Sequence, residues 1–497
     1  MPLYLACGNL PHAGNLPSRS GYFARPVYMG GMMLRIFIMS IILMGFAPCA
    51  FAGNQDTGAY LADEVQAVPE ETLDETVRVL QEKSRHLYDV LKSAYQDNPT
   101  LNAARSKLRA VEEKLPQALS NYRPRVTADG SVVYSNTDTD GGTGFSPDGS
   151  VTTKTAAVNL TQPLYRGGRT IAETQGAKDL ILSEQAVVRQ AEQTIMLSAI
   201  TAYMDVLRDK ALLNVAEQNS DVLLRQVEMS QDRFDVGEIT KTDVAQAESR
   251  LAQSESDIAS ARANLRASIA SYEQVTGAPP EENLLYPEIL YAPPATLDEA
   301  ISYADENNPR IVSSIALNRA AESDIDEVFG ELLPSLTLGG NISRSYDPST
   351  SIDRQDNQSA GLTLSIPLYE SGSVRSRVRE ARHTANQRML EILETRRTVR
   401  QQVIASWERW MAARAQITAR QKEVEAADYV RLSLQDQADV GERTVTDSLD
   451  AIQDYETALA ALISARRDEV VSLFTLAQAL GDLSPEALGF TENIKTP

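Results

Sequence analysis

The sequence predicts an α+β membrane protein made of two copies of one unit, in which paired β-strands are followed by very long helices. Three observations predict this fold class. The stretch DVGEITKTDVAQA, which begins at Asp235, recurs as DVGERTVTDSLDA from Asp439. Two segments alternate apolar and polar residues with the period of a β-strand. A long, proline-free helical pattern follows each segment, so the chain is internally duplicated.

The duplication extends beyond this stretch. At an offset of 204 residues, PLYRGG from Pro163 aligns with PLYESG from Pro367, whereas an offset of 210 aligns Asn98 with Asn308. The first copy therefore has six more residues between these motifs. A stretch rich in Gly, Thr and Ser lies there and predicts a loop, which tolerates insertions.

The start of the chain predicts export. Residues 1–52 are interpreted as an upstream segment plus a signal peptide, because the stretch from Met32 combines an arginine, a short apolar run and an Ala-Phe-Ala ending. The remaining chain has 44 basic against 68 acidic residues, which disfavours nucleic-acid binding. Both cysteines, Cys7 and Cys49, lie in the leader, so we expect no disulfide and no thiolate ligand in the mature chain.

The patterns divide the rest of the chain into two similar repeats. Each begins with a helical pattern broken at an Asn-Pro pair, since the residue before proline resists the α conformation. Thr296 and Glu299 predict a capping box at the start of the second repeat. The predicted segments are a lead-in (53–83), a first repeat (84–278) with a β-hairpin (124–165) and a helical tip (235–243), a linker (279–295), a second repeat (296–482) with a β-hairpin (334–369) and a helical tip (439–447), and a tail (483–497).

Both predicted β-hairpins have one apolar and one polar face. The alternation is clearest in the second repeat, where serine, threonine and asparagine separate the apolar positions. Those apolar positions are Leu336, Leu338, Ile342, Ala360, Leu362, Leu364, Ile366 and Leu368.

The helices that follow are longer than globular proteins use. The pattern over 169–234 corresponds to roughly 100 Å of helix at the standard rise, and 242–276 predicts a return helix. The second repeat has the same pattern over 373–437 and 446–480. Such lengths indicate coiled-coil packing.

The sequence leaves the apolar face of the four strands uncovered. In an exported acidic protein we expect lipid to cover it, and lipid tolerates only closed barrels because every backbone group needs a partner. Known barrels begin at about eight strands, so four strands per chain require an oligomer. Two copies would supply eight strands and three copies twelve, and strand number alone leaves both open.

The order and spacing of the Asn-Pro breaks, the PLYxxG junctions and the DVGxxTxTD turns resemble the TolC family of outer-membrane export channels over residues 84–482. This resemblance implies a homotrimer with a twelve-strand β-barrel in the outer-membrane lipid, continued through the periplasm by a long α-helical barrel. It also implies export of small molecules such as drugs, or of type I secreted proteins. The implied partners are a periplasmic adaptor (membrane fusion) protein and an inner-membrane transporter of the ABC or RND type.

The resemblance places a gate at the helical tips, which would open like an iris. Asp447 and Asp450 lie at i and i+3 on one helical face, where the family has its aperture aspartates. Crowding these carboxylates in a trimer would favour cations and raise some of their pKa values. Helix capping is an equally good explanation for Asp447 and for Asp243, its counterpart in the first repeat.

Two further features of the tips follow from the resemblance. Arg443 fits the family's gate arginine, which would bond to Thr242 and Asp243, although a solvated surface arginine is the alternative. The family's tyrosine partner falls at Ala438, so one link is missing or replaced.

Val236 and Gly237, with Val440 and Gly441 in the second repeat, resemble the family's adaptor contacts. Glycine at a helix C-terminus also has a local explanation, because it forms the left-handed cap.

Other classes of function fit less well. A periplasmic coiled-coil scaffold or adaptor protein would share the signal and the long helices, but it would not need two amphipathic hairpins. An enzyme is not expected, because the mature chain has only two histidines, His86 and His383, and it has no cysteine and no Gly-x-Ser-x-Gly motif. The sequence likewise predicts no cofactor and no metal site.

Overall fold

The computed structural model describes residues 87–138, 149–287, 291–349, 351–439 and 442–484. All of them belong to one compact unit. The predicted leader (1–52), the lead-in (53–83) and residues 485–497 of the predicted tail lie outside the described residues.

The described elements repeat one order, in which short helices, a β-hairpin and a long helical hairpin follow each other. In chain order they are α1 (87–97), α2 (Pro99–Glu112), α3 (Lys114–Ser120), β1 (Arg125–Thr137), β2 (Gly149–Arg166), α4 (Arg169–Asp235), α5 (Lys241–Thr276), α6 (Leu297–Asn307), α7 (Pro309–Phe329), a 3-10 turn (Gly330–Leu332), β3 (Ser335–Ser349), β4 (Ile352–Ser365), α8 (Ser373–Asp439) and α9 (Val445–Leu480).

The Asn-Pro breaks also tie each repeat together. The side chain of Asn98 caps α2 by accepting from the backbone N–H of Leu101, and it donates to the Val275 carbonyl at 3.0 Å. Asn308 caps α7 in the same way and donates to the Ala479 carbonyl at 2.8 Å. Each asparagine therefore connects the start of its repeat to the end of the return helix.

The four strands form one antiparallel sheet in the order β1-β2-β3-β4. The two repeats meet at the β2–β3 pair, where Asn159 lies opposite Asn341. Compared with the predicted hairpins, β2 continues one residue further, to Arg166, whereas β4 ends at Ser365, four residues earlier. Within the described chain β1 and β4 are the edges of the sheet, so each has one side without a strand partner.

Corresponding long helices have the same length in the two repeats. Both α4 and α8 have 67 residues, which is about 100 Å of helix, and α5 and α9 have 36 residues each. The return helices end at Gly277 and Gly481, whose φ angles of 80° and 82° form left-handed caps. Gly481 also lies close to the α6–α7 break, because a Cβ there would be 2.8 Å from the Asn307 carbonyl oxygen.

The two long helices differ in their surroundings. Helix α4 packs against α5, α7, α9 and the α2–α3 segment, and its Met196, Ile200 and Tyr203 are fully buried. Helix α8 packs against α6, α7 and α9, and it leaves Met389 and Leu390 exposed. Helix α8 is therefore an edge of the helical layer. None of the helices in the described part of the chain is both long enough and apolar enough to cross a membrane.

Candidate functional site

The two faces of the sheet differ in chemistry and in exposure. Over residues 152–160 of β2 and 342–346 of β3, the side chains of the apolar face, such as Val158 and Ile342, are exposed. Those of the opposite face, such as Asn159 and Asn341, are half-buried. A sheet that curves toward its polar face has this alternation, because side chains on a concave face cover one another.

Hydrogen bonds link the polar face across three strands. The Asn159 side chain donates to Asp129 at 2.6 Å, and the Asn341 side chain donates to Asn159 at 2.7 Å. Thr155 and Ser345 are 3.0 Å apart at their hydroxyl oxygens. This face can therefore line a water-filled space, while the exposed apolar face suits lipid.

At the far end of the long helices, a short turn joins α4 to α5. Val236 is exposed, and Gly237 has a φ angle of 80° with open space around it. Thr240 and Asp243 form a capping box at the start of α5. The hydrogen bonds from the backbone and then the side chain of Thr240 hold the pKa of Asp243 below its ordinary value.

The second tip has the same cap at the same repeat positions. Thr444 and Asp447 form a capping box at the start of α9. The hydrogen bonds from the Thr444 side chain and backbone, with the charge of Arg443, hold the pKa of Asp447 below its ordinary value. The raised pKa expected from crowded carboxylates is therefore opposed at Asp447 by its own cap. Val440 and Gly441, the predicted adaptor contacts of this tip, lie outside the described residues.

Three polar contacts join the two helical hairpins near their tips. Arg250 of α5 donates to Asp450 of α9 at 2.9 Å. One turn closer to the tips, the Thr446 hydroxyl donates to the Gln246 side chain at 2.7 Å. The Arg233 guanidinium donates to the Ala438 carbonyl at 2.9 Å, at the position where the resemblance leads us to expect a tyrosine.

An apolar cluster lies beside these contacts and holds the hairpins together. Its buried members come from α4, α5 and α9, and they are Leu223, Ala247, Val445, Leu449 and Ile452. The tips therefore form one packed unit in which the polar contacts lie at the surface.

The structure brings some of the predicted gate residues together and leaves others apart. Asp450 lies in the contact between the hairpins, whereas Arg443 makes no hydrogen bond or ion pair with Thr242 or Asp243 within the described chain. The sequence interpretation missed Arg250. The sequence feature that points to Arg250 is the opposite charge of Asp450, and it can be recognised only once α5 and α9 are known to be neighbours.

Comparison with known protein families shows to which family the chain belongs. The model of the family described as outer membrane efflux protein matches residues 90–278 and 300–482. The chain belongs to the outer membrane efflux protein family. It is thus an outer-membrane export channel, and its family is one of channels rather than enzymes.

Known outer-membrane proteins are similar to most of the chain. The outer membrane efflux protein BepC of Brucella suis biovar 1 (strain 1330) is 29% identical over 82% of this chain and 87% of its own length. The outer membrane protein TolC of Escherichia coli (strain K12) is 24% identical, covering 82% of this chain and 84% of that protein. The crystal structure of VceC from Vibrio cholerae has a TM-score of 0.71 at 18% identity, covering 81% of this chain and 98% of that one.

Within the described residues, no group of three or more His, Cys, Asp or Glu side chains is placed to hold a metal ion.

Proposed function

We propose that three copies of this chain form a continuous duct, with a twelve-strand barrel in the outer membrane and a helical tunnel in the periplasm. The observation that carries the proposal is the sheet, which has an exposed apolar face and two long edges without partners, β1 and β4. In lipid both edges need strand partners. A ring of identical chains satisfies this need by pairing β4 of each copy with β1 of the next.

The bare side of α8 supports the same ring. Helix α4 of the first repeat has neighbouring helices on both sides. Helix α8 has neighbouring helices only on the side where α7 and α9 lie, so its other side is bare. Its exposed Met389, Leu390 and Leu393 are suited to pack against another copy. The number three is carried over from the family resemblance.

The duct is proposed to conduct its cargo without catalysing a reaction. Small molecules such as drugs and type I secreted proteins are the two cargo classes. A periplasmic adaptor protein and an inner-membrane transporter of the ABC or RND type would complete the export system. Val236 and Gly237 support an adaptor contact at the first tip, because Val236 is exposed and the turn is unobstructed; Val440 and Gly441 are proposed for the second.

The gate is proposed to lie at the tips. Asp447 and Asp450 would surround the entrance, and Arg443 would reach Thr242 and Asp243 of another copy rather than of its own chain. The absence of that contact within one described chain supports an intersubunit link. The Arg250–Asp450 pair would hold the second hairpin against the first and replace the missing tyrosine link.

Planar-bilayer recording tests the channel and the gate together. The native protein should show a small conductance that prefers cations, and Asp447→Asn with Asp450→Asn should reduce that preference. A matched variant that removes two acids from α5 away from the tip, Glu255→Gln with Glu273→Gln, should keep it. If a folded native oligomer does not conduct, the duct is wrong and a periplasmic scaffold or adaptor becomes the better explanation.

A further inference from the structure

The end of α8 next to the sheet carries three arginines without a partner in the described chain. Arg375, Arg379 and Arg382 are four and three residues apart, so they lie on one face of the helix. All three are exposed, and none has a hydrogen bond or ion pair within the described chain. By contrast, Arg377 points elsewhere and pairs with Glu331 at 2.8 Å. We call Arg375, Arg379 and Arg382 the arginine stripe.

Apolar side chains lie immediately before the stripe in the chain. Leu368 and Tyr369, between β4 and α8, are 93% and 87% exposed. Tyrosine and apolar residues followed by long cationic side chains are typical of a membrane–water boundary, where the rings lie at headgroup level and the charges reach the phosphates. The stripe is therefore within a few helical turns of a segment suited to the edge of a bilayer.

The internal repeat shows that this helical face points away from neighbouring helices. At the offset of 204, the stripe corresponds to Ile171, Gln175 and Lys178 of α4. Helix α4 has helices on both sides, yet these three positions remain exposed. The same face of α8 would therefore stay accessible after a second copy covers its bare side.

A second copy is also a poor electrostatic partner for the stripe. By the repeat, the bare side of α8 would receive the α2–α3 segment of the next copy. Residues 99–123 contain five basic and two acidic residues, so they would bring more positive charge. The first part of α8, over 373–388, has five arginines and one glutamate. Glu331 and Glu391 pair with Arg377 and Arg388, so the three arginines of the stripe are the ones left without an anionic partner in the described chain.

We propose that the arginine stripe binds the phosphate groups of anionic phospholipids in the membrane leaflet nearest the long helices. Guanidinium groups match phosphate with two parallel hydrogen bonds. The corresponding face of the first repeat carries one lysine and no arginine, so the lipid contact belongs to the second repeat. This inference rests on the proposed placement of the sheet in the outer membrane.

Native mass spectrometry of the detergent-purified oligomer tests the proposal by titration with phosphatidylglycerol and phosphatidylcholine. The variant Arg375→Gln, Arg379→Gln, Arg382→Gln should bind phosphatidylglycerol at least about ten-fold more weakly, because each cation near an anionic surface increases the affinity about five-fold. Phosphatidylcholine binding should not change, and inorganic phosphate should not displace the lipid. The matched control removes three exposed cations further along the helices, in the variant Arg225→Gln, Arg266→Gln, Lys422→Gln. This control should bind phosphatidylglycerol like the native protein.

Replacing the stripe with three lysines should preserve most of the binding, because the charge remains. Equal phosphatidylglycerol binding by the glutamine variant and the native oligomer would overturn the proposal, as would a native oligomer that does not distinguish the two lipids. Dissociation of the glutamine variant into single chains would assign the stripe to a subunit interface instead. Bilayer conductance separates the two proposals. If the glutamine variant binds lipid like the native protein and the native protein conducts, only the proposed lipid site is wrong. If the native protein does not conduct, the proposed duct is wrong.

Discussion

Replacing Arg250 with alanine should make the channel open more often. Arg250 is the cation of one of the three polar contacts that join the two helical hairpins, and its guanidinium lies 2.9 Å from the Asp450 carboxylate. The substitution removes this contact while it leaves the capping boxes at Thr240 and Thr444 in place. The second hairpin then has fewer contacts that hold it against the first.

The expected size follows from the exposure of the pair. Arg250 and Asp450 are 41% and 58% exposed, so water and salt screen their attraction. Such exposed pairs contribute about 0.2–1 kcal/mol each. If the three chains of the proposed trimer open together, the closed state loses roughly 0.6–3 kcal/mol, which corresponds to a roughly three-fold to 150-fold increase in the open-to-closed ratio.

Single-channel recording measures this ratio directly. The difference between Arg250→Ala and the native channel should be largest at low ionic strength and should shrink in molar salt, because the Debye length falls to about 3 Å. The matched control is Arg262→Ala. Arg262 pairs with Glu217 at 3.2 Å with similar exposure, but both residues belong to the first hairpin.

The two variants separate a link between hairpins from a general effect of charge. An unchanged opening frequency in Arg250→Ala would refute the reasoning, since the contact would then not oppose opening. An equal increase in Arg262→Ala would also refute it, because the effect would come from lost positive charge rather than from the contact between hairpins.

Three further changes have defined expected outcomes. Burial, and then the charges of Glu173 and Asp324, raise the pKa of Glu327. The folded protein therefore retains a proton that the unfolded chain releases, and the free energy of unfolding falls as pH rises from the ordinary pKa to the raised one. In thermal unfolding scans, Glu327→Gln should remove the part of this fall that comes from Glu327. Gly481→Ala should cost about 1–3 kcal/mol or more in urea unfolding, because it adds a 2.8 Å contact to a φ of 82°, whereas Gly277→Ala, with open space, should cost less. Thr444→Ala should cost about 1 kcal/mol through its lost cap, visible as faster hydrogen exchange at the start of α9.

Local patterns sufficed for much of the fold because they depend on neighbouring residues. Alternation with period two predicts β3 and β4, and the absence of proline predicts α4 and α8, since both patterns depend only on residues that are close together in the chain. The capping box at Thr296 and Glu299 is present as predicted. Strand boundaries differ from the prediction, as β4 shows by ending at Ser365, because the last residues of a strand depend on the partner strand.

The sequence by itself determined the duplication, the strands with two unlike faces and the long helices, because repeats and periodicities are properties of one chain read in order. The tertiary structure decided that β2 and β3 join the repeats, that α4 is enclosed while α8 is an edge, and that Arg250 meets Asp450. These facts join residues about 200 positions apart. Coulomb forces and packing act through space, so the spacing along the chain does not fix such contacts until the helices are placed side by side.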